Sequence, residues 1–376
     1  MPTFLAITSR GIENPLRDEL TELGFKSIKA VQGGFTFETN WKGAYEANLR
    51  LRAATRVALP ILDFPAYEPD HLYHNVLKHD FTKYIDVKGT LAVDATVKDS
   101  VFKDQRFVAL KVKDAIVDQF REKYGERPNV DSKNPDLTIL ARVYKNNVSL
   151  SIDTTGEGLF KRGYRQEQVP APMKEHVAAG LLRIAKWDGR TPLVDPMCGG
   201  GTILIEAALQ ALDIAPGSLR KSFAFQRMKG FQADAWDEVV NEAAEREKTE
   251  LGFKLYGFDR SKMAITAAKI NARKAGVDEV VEFAPSQVSL LEPPCEHGIV
   301  IVNPPYGERM GHNDASVADS YRDLGFAMKT RFKGWTMWML SPSKEVAQLI
   351  GMKSSERHTV WNGPIELNFL KYEIKK

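Results

Sequence analysis

The stretch that decides the fold of this chain is "LVDPMCGGGTILIEAAL", which runs from Leu193 to Leu209. A short apolar strand ends at Asp195, three glycines follow, and apolar residues at helical spacing begin at Thr202. Glycines let a ligand approach the backbone closely, and the start of a helix offers unpaired N–H groups. The pattern matches neither GxGxxG nor GxxxxGKS/T, which disfavours a dinucleotide fingerprint and a P-loop. It predicts a ligand site of another kind at the end of a buried strand.

A second strand, "KLYGFD", also ends in a carboxylate, at Asp259. An acidic side chain at that position can accept both hydroxyls of a ribose, as in doubly wound nucleotide-binding folds. The alternative is that Asp259 only caps the helix that is predicted to begin near Ser261. Asp259 follows Asp195 by 259 − 195 = 64 residues, and we attribute this long spacing to an inserted segment between about residues 214 and 252.

A third strand, "GIVIVN", is followed at once by two prolines and a tyrosine. Proline has no N–H and a fixed φ, so the strand cannot continue past Asn303. The side-chain carbonyl of Asn303 and the backbone carbonyl of Pro304 can both accept hydrogens from a flat exocyclic NH2 group. Tyr306 can stack on the ring that carries this group. The tetrapeptide Asn303-Pro304-Pro305-Tyr306 therefore predicts a site for a planar amine.

The pattern of strands and helices divides the chain into two styles. In the back half, five short apolar runs alternate with helical patterns over residues 202–212, 261–275 and 317–332, which predicts a mostly parallel sheet. Two strands joined through Asn362-Gly363-Pro364 predict a terminal antiparallel hairpin. The front half reads β-α-β-α-β up to about residue 65, which suggests a ferredoxin-like α+β unit. A strand, a long helix closed by Gly125 and two strands around residues 145–147 follow.

Composition excludes several classes of protein. The chain has 376 residues, 43% hydrophobic and 27% charged, with a net charge of +3, which is ordinary for a globular protein. Two distant cysteines, Cys198 and Cys295, form no disulfide framework or metal-binding spacing and suit a reducing cytoplasm. No secretory signal is expected from the first residues, and no uncharged run approaches membrane-spanning length. The histidines of "DHLYHNVLKHD" fit no standard metal site, so no metal is expected.

The motifs "DPMCGGGT", "GFD" and "NPPYGER" resemble those of class I S-adenosylmethionine-dependent methyltransferases that modify planar amino nitrogens. With "FKRGYR" and "FQRMKGFQADAW" in the same order, nearly the whole chain resembles the bacterial THUMP-domain RNA methyltransferases of the 23S ribosomal RNA guanine-N2 type. Related sequences are often labelled adenine-N6 DNA methylases, because both chemistries share the Asn-Pro-Pro-Tyr signature. "EPPCEHG" instead suggests a cytosine-C5 methyltransferase, but Cys295 precedes the strand, which disfavours that reading.

The resemblance implies an α/β fold, with a Rossmann-like methyltransferase domain preceded by ferredoxin-like and THUMP domains. The expected boundaries are 1–65 for the ferredoxin-like region, 66–156 for the RNA-binding THUMP domain, 157–172 for a linker and 173–376 for the methyltransferase domain. S-adenosylmethionine is the implied cofactor. The residues expected to bind it are Pro172, Met173, Asp195, Pro196, Gly199, Gly201, Thr202, Asp259, Arg260, Gln287 and Asn303. Gln287 departs from the wider pattern, which usually has an acidic residue there.

The resemblance implies methyl transfer to the exocyclic N2 of a guanine in 23S ribosomal RNA, in the cytoplasm and without a membrane partner. The residues expected to act on the base are Asn303, Pro304, Pro305 and Tyr306, and those expected to contact RNA are Lys161, Arg162 and Arg165. The alternatives are adenine-N6 transfer on DNA or RNA, guanine-N2 transfer on transfer RNA, glutamine-N5 transfer on protein, and a non-catalytic RNA-binding ribosome-assembly factor. The target nucleotide, the oligomeric state and any second activity are left open.

Overall fold

A computed structural model describes residues 1–167, 172–306 and 315–375 of the chain. Its first part comprises β1 (Thr3–Ile7), α1 (Glu13–Glu22), β2 (Lys26–Val31), β3 (Gly34–Glu38), α2 (Trp41–Arg50) and β4 (Arg56–Pro65). The predicted β-α-β-α-β order is wrong by one strand. The predicted second strand corresponds to β3, and the strand before it, β2, is missing from the prediction. No residue of β2 is buried, so its sequence carries no alternation of apolar and polar residues that would reveal it.

The second part comprises α3 (Pro69–Leu77), β5 (Thr90–Lys98), α4 (Gln105–Tyr124), β6 (Asn129–Val130), β7 (Leu137–Tyr144) and β8 (Asn147–Asp153). The predicted helix stop at Gly125 is confirmed by its left-handed backbone, with φ of 73°. Lys145 and Asn146 both have positive φ in the predicted tight turn between β7 and β8. These strands continue the first part as one eight-stranded sheet in the order β2-β3-β1-β4-β8-β7-β5-β6. The two parts share this sheet because β4 pairs with both β1 and β8.

The back part contains a seven-stranded sheet in the order β11-β10-β9-β12-β13-β15-β14. Its strands are β9 (Leu193–Asp195), β10 (Leu255–Asp259), β11 (Val281–Pro285), β12 (Ile299–Val302), β13 (Thr336–Ser341), β14 (Glu356–Asn362) and β15 (Ile365–Glu373). Its helices are α5 (Glu175–Ile184), α6 (Thr202–Ala211), α7 (Ala233–Ala244), α8 (Lys262–Ala275), α9 (Ala315–Arg331) and α10 (Lys344–Gln348). The first five strands are parallel and β15 is antiparallel to β13. The predicted parallel sheet with a terminal hairpin is confirmed.

The inserted segment packs the back part against the front part through aromatic rings. Tyr45 on α2 lies 4.5 Å from Phe225 and 6.3 Å from Trp236, measured between ring centroids. Phe225 and Trp236 are themselves 5.2 Å apart. Trp236, on α7, therefore serves the packing between the two parts. No helix of the described ranges is both long enough and apolar enough to cross a membrane.

Candidate active site

Three adjacent strands at the centre of the seven-stranded sheet bring the predicted site residues to one edge. The strands lie in the order β10-β9-β12, and Asp259 and Asp195 end the first two. Asn303 follows β12 directly. Because the three strands are parallel, their carboxyl ends meet at the same edge, where open α/β sheets bind ligands. The structure thus brings together the three side chains that the sequence singled out separately.

The glycine turn between β9 and α6 is tightly held. Gly199 has φ of 52° and donates its N–H to the Asp259 carboxylate at 3.0 Å. Gly201 has φ of 82°, and a Cβ built there would stand 2.9 Å from the ring of Phe283. A larger side chain at position 201 would therefore meet both backbone strain and a ring. The N-cap residue of α6 is Gly201, so no side chain caps the start of this helix at Thr202.

Asp195 is the most perturbed acid of this turn. Its side chain is 2% exposed and accepts one hydrogen bond, from the N–H of Met197 at 3.1 Å. Burial raises the pKa of Asp195 to about 8, and the negative charge of Asp259 adds to the rise. This buried carboxyl group has only one hydrogen-bond donor, so a cation bound beside it would favour its charged form. Asp195 therefore fits the positively charged methionine end of S-adenosylmethionine.

Asp259 is not the cap of α8, and its predicted ribose contact stays a prediction; its carboxylate instead holds two backbone N–H groups. One carboxylate oxygen accepts the N–H of Gly199, and the other accepts the N–H of Ser261 at 2.8 Å. Ser261 itself caps α8, because its hydroxyl accepts the N–H of Ala264 at 3.3 Å. Asp259 thus shapes the glycine turn as well as the helix start. Each carboxylate oxygen can accept a second hydrogen, so a ribose contact is compatible with these bonds.

Two more residues expected at the cofactor lie beside Asp259. Arg260 follows it directly and is exposed. Gln287 is exposed and follows Ser286, whose N–H donates to the backbone carbonyl of Asp259 at 3.0 Å. Gln287 therefore lies at the same sheet edge, next to the end of β10. Its contact with the cofactor stays a prediction.

Asn303 presents an unpartnered acceptor. Its side-chain oxygen is buried and has no hydrogen-bond partner among the described residues. Such an atom costs about 1–3 kcal/mol unless a ligand or water satisfies it. Pro304 is buried and Pro305 is exposed, so the two prolines carry the chain out of the sheet. The residues "GERMG" that follow Tyr306, which include the rest of the quoted motif "NPPYGER", lie outside the described residues.

The ring of Tyr306 is held in place by a residue that the sequence reasoning missed. Its hydroxyl accepts a hydrogen bond from the side-chain amide of Asn362 at 3.4 Å, and burial raises the pKa of the phenol. The carbonyl oxygen of Asn362 accepts the N–H of Lys174 at 3.4 Å. In the sequence, Asn362 predicts only a hairpin turn. No local signal separates it from an ordinary turn asparagine, since its partners are 56 and 188 residues away.

Asn271, on α8, is a second residue that sequence reasoning missed. It is 2% exposed, and its side-chain oxygen accepts the N–H groups of Gln166 and Glu167 at 2.9 and 3.2 Å. Its amide donates to the carbonyl of Gly200 at 3.2 Å. Asn271 therefore joins the linker to the glycine turn. A signal was available, because this polar residue falls on the alanine-rich buried face of its helix.

The linker cations are placed differently from the sequence expectation. Arg162 is 1% exposed and pairs with the buried Glu206 at 3.2 Å, so the predicted RNA contact at Arg162 is wrong. Its burial depends on a carboxylate 44 residues away, which the local basic pattern does not reveal. Lys161 is 57% exposed beside Glu157, so an RNA contact there stays a prediction.

Arg165 lies where the linker meets the starts of α5 and α6, and the predicted RNA contact there stays a prediction. Its guanidinium donates to Glu175 at 3.0 Å, to the carbonyl of Met173 at 2.8 Å and to the hydroxyl of Thr202 at 3.2 Å. These bonds fix the segment that enters α5 against the start of α6. Met173 is buried and Pro172 is exposed at this junction. The position agrees with the expectation that these two residues cover the cofactor from the linker side, and the contact itself stays a prediction.

Two other kinds of site were weighed against the methyltransferase reading, a metal site and a cysteine nucleophile. Among the described residues, no group of three or more His, Cys, Asp or Glu side chains is arranged to hold a metal ion. Burial raises the pKa of the Cys198 and Cys295 thiols, which disfavours the thiolate that a cysteine nucleophile needs. Cys295 also precedes β12 rather than following it.

Taken together, the sheet order, the glycine turn with its two aspartates and the Asn-Pro-Pro-Tyr corner define a class I S-adenosylmethionine-dependent methyltransferase. The family described as "RMKL-like, methyltransferase domain" matches residues 162–371, a THUMP domain matches 66–153, and an RlmL ferredoxin-like domain matches 3–58. The chain belongs to this RMKL-like methyltransferase family, and its cofactor is S-adenosylmethionine. The resemblance inferred from the motifs is confirmed.

Relatives of this chain differ in length. The protein slr0064 of Synechocystis sp., assigned as an RNA methyltransferase, is 38% identical over 99% of this chain and 96% of its own. A ribosomal RNA large subunit methyltransferase K/L of Syntrophotalea carbinolica is 37% identical over 99% of this chain. This chain spans about half of that protein, 53% of its length. A solved methyltransferase structure, SMU.472 complexed with SAH, is 29% identical and aligns over 100% of this chain and 98% of its own, with a TM-score of 0.91.

Proposed function

We propose that this protein transfers the methyl group of S-adenosylmethionine to the exocyclic N2 of a guanine in 23S ribosomal RNA. The observation that carries the proposal is the buried side-chain oxygen of Asn303, which has no partner among the described residues, in a side chain that also contacts the phenol of Tyr306. This pair offers a hydrogen-bond acceptor and a stacking surface at the end of β12. It suits a planar base that carries an amino group.

The chain's own residues must position a weak nucleophile. The lone pair of an exocyclic amine is delocalised into the ring, so the nitrogen attacks poorly. Asn303 and the carbonyl of Pro304 can accept its two hydrogens and draw the nitrogen toward tetrahedral geometry. Tyr306 fixes the plane of the base, and Asn362 fixes the phenol. S-adenosylmethionine supplies an electrophilic methyl group when bound.

The reaction needs no strong base. As the N–C bond forms and the S–C bond breaks, the nitrogen gains a positive charge and becomes acidic. Its proton can pass to water, leaving methylated amine and S-adenosylhomocysteine. The main contribution of the protein is a fixed in-line pose, which can supply several kcal/mol of the barrier reduction.

Two observations support RNA as the substrate, and a third consideration concerns the pairing of the target base. The chain matches a THUMP domain over residues 66–153. Its relatives include proteins named ribosomal RNA large subunit methyltransferase K/L, which supports the large subunit. The base must leave its stack to reach the end of β12, at a cost of a few kcal/mol, which favours a weakly paired target.

The test is methyl transfer followed by nucleoside analysis. Purified protein and radiolabelled S-adenosylmethionine are incubated with 23S ribosomal RNA from a strain that lacks this gene. Digested RNA should contain labelled N2-methylguanosine, and the Asn303→Ala variant should leave the RNA unlabelled. Labelled N6-methyladenosine would refute the guanine assignment. Label in DNA, protein or transfer RNA, with none in 23S RNA, would refute the substrate.

A further inference from the structure

A cavity of about 480 Å³ lies on the seven-stranded sheet, apart from the candidate active site. It is bounded by α10, the loop after it, and strands β14 and β15. The residues of the glycine turn, the ends of β9 and β10, and the Asn-Pro-Pro-Tyr corner do not line it. The cavity is therefore a second concave surface of the same domain.

The charged side chains that line this cavity are all basic. Lys344, Lys353 and Arg357 line it, and none of the described residues that line it is acidic. A fourth cation stands at its edge, because a Cβ built at Gly351 would lie 3.0 Å from the ammonium of Lys329. With carboxylates absent from its lining, the cavity attracts an anion.

The nearest carboxylates along the chain are engaged elsewhere. Glu356, beside Arg357, pairs with Lys371 at 3.0 Å, and this bond lowers the pKa of the glutamate. Hydrogen bonds with its own backbone N–H and with Ser343 lower the pKa of Glu345. Neither carboxylate therefore needs the cations of the cavity as partners.

The floor of the cavity is apolar and its wall offers polar groups. Leu370 and Tyr372 are buried beneath it, and Met352 is half-buried. Asn368 accepts a hydrogen bond from the Arg357 guanidinium at 2.8 Å, which holds that side chain on the wall. A low-polarity floor strengthens the attraction of the cations for an anion, since it screens charge poorly.

The position of the cavity relates it to the active site. Asn368 pairs with Ser341 at the carboxyl end of β13, and β13 is the neighbour of β12. Strands lie about 4.8 Å apart, so the cavity wall at β15 is roughly 10 Å from the strand that ends at Asn303. At an axial rise of about 3.4 Å for each nucleotide of a helical strand, that distance corresponds to roughly three nucleotides. One RNA strand can therefore reach both places.

We propose that this cavity binds the phosphodiester backbone of the substrate RNA, a few nucleotides away from the base held at Asn303. The proposal rests on the proposed function, because RNA is the polyanion that the active site would hold at that distance. Its role is to position the strand, so it should act on RNA affinity and leave the binding of S-adenosylmethionine unchanged.

The experiment uses two paired charge reversals in the full-length protein. The cavity variant is Lys344→Glu with Lys353→Glu, since both side chains are exposed. The control variant is Lys269→Glu with Lys274→Glu, two exposed lysines on α8, which packs on β10 and β11 toward the other edge of the sheet. Both variants change the net charge by the same amount. The single variant Arg357→Gln, which keeps a hydrogen-bonding side chain, adds a milder test.

The measurements are RNA affinity at several salt concentrations, methyl-transfer kinetics, calorimetric titration with S-adenosylmethionine, and thermal unfolding with and without inorganic phosphate. We expect the cavity variant to raise the KM for RNA about tenfold or more, while kcat at saturating RNA and cofactor affinity stay within about twofold. Loss of two phosphate contacts should reduce the slope of log affinity against log salt by about 1.4–1.8. Arg357→Gln should also raise the KM for RNA and reduce the salt slope, each by a smaller amount.

The outcomes separate this inference from the proposed function. If the wild type methylates RNA and the cavity and control variants have equal RNA parameters, the cavity is not an RNA site. If only thermal stabilisation by inorganic phosphate is lost in the cavity variant, the cavity binds a small anion and the RNA assignment is wrong. If the wild type fails to methylate any RNA, the proposed function is wrong and the ligand assignment fails with it.

Discussion

Arg162 offers the sharpest test of the difference between a charged residue at a surface and one in a core. Its guanidinium donates to both oxygens of Glu206, at 3.3 and 3.2 Å, and to the carbonyls of Leu159 and Arg52, at 2.7 and 2.6 Å. The hydroxyl of Tyr164 also donates to Glu206, at 3.1 Å. Glu206 is 0% exposed. Arg162→Ala would leave this carboxylate in the core with one donor in place of three.

The expected cost follows from that burial. Removing one partner of a buried, hydrogen-bonded ion pair lowers the free energy of unfolding by about 3–5 kcal/mol. At about 2–4 °C for each kcal/mol in a domain of this size, Tm should fall by roughly 6–20 °C. Lys161→Ala is the matched control, because Lys161 and Glu157 are 57% and 62% exposed. An exposed pair contributes about 0–1 kcal/mol, so the control should melt close to the wild type.

The assay is thermal unfolding followed by circular dichroism, with RNA binding measured at a temperature where each variant is folded. The double substitution Arg162→Met with Glu206→Leu removes both charges and should recover most of the lost Tm, since apolar residues can replace a buried pair. A variant Arg162→Ala that melts like the wild type but loses RNA affinity would refute the structural assignment and restore an RNA contact at this residue.

Four further predictions concern the candidate site. Asn303→Ala should raise the activation free energy of methyl transfer by about 2.7–4 kcal/mol, while calorimetry should show unchanged cofactor affinity. An active variant would contradict the acceptor role. Asp259→Ala should weaken S-adenosylmethionine binding by about 1.5–3 kcal/mol, and unchanged affinity would leave Asp259 as a structural residue of the turn. Because the pKa of Asp195 is raised to about 8, its carboxyl group is protonated at neutral pH, and a cationic cofactor must displace that proton. Affinity should therefore rise with pH up to about 8, with proton release in calorimetry, and Asp195→Asn should flatten the profile. The same shift should make the free protein less stable as pH rises from 3.8 toward about 8, because only unfolding lets this carboxyl ionise freely.

The sequence by itself determined the parts of this protein that local pattern encodes. The end of a parallel strand is marked by an apolar run followed by a polar or turn residue, and that signal located Asp195, Asp259 and Asn303. Helical periodicity placed α6, α8 and α9 within two residues of their observed bounds. The terminal hairpin followed from Asn362-Gly363-Pro364 for the same reason, because turn chemistry is local.

The tertiary structure alone decided which polar residues are buried and which strand joins the first two parts of the chain in one sheet. Arg162 reads as part of a basic surface, yet a glutamate on α6 makes its burial favourable. Asn271 and Asn362 acquire their roles from partners between 56 and 188 residues away. The strand β4 joins two sheets into one because both of its edges find partners. Burial of charge and the pairing of edges depend on contacts between distant segments, and a window of sequence contains only one side of each contact.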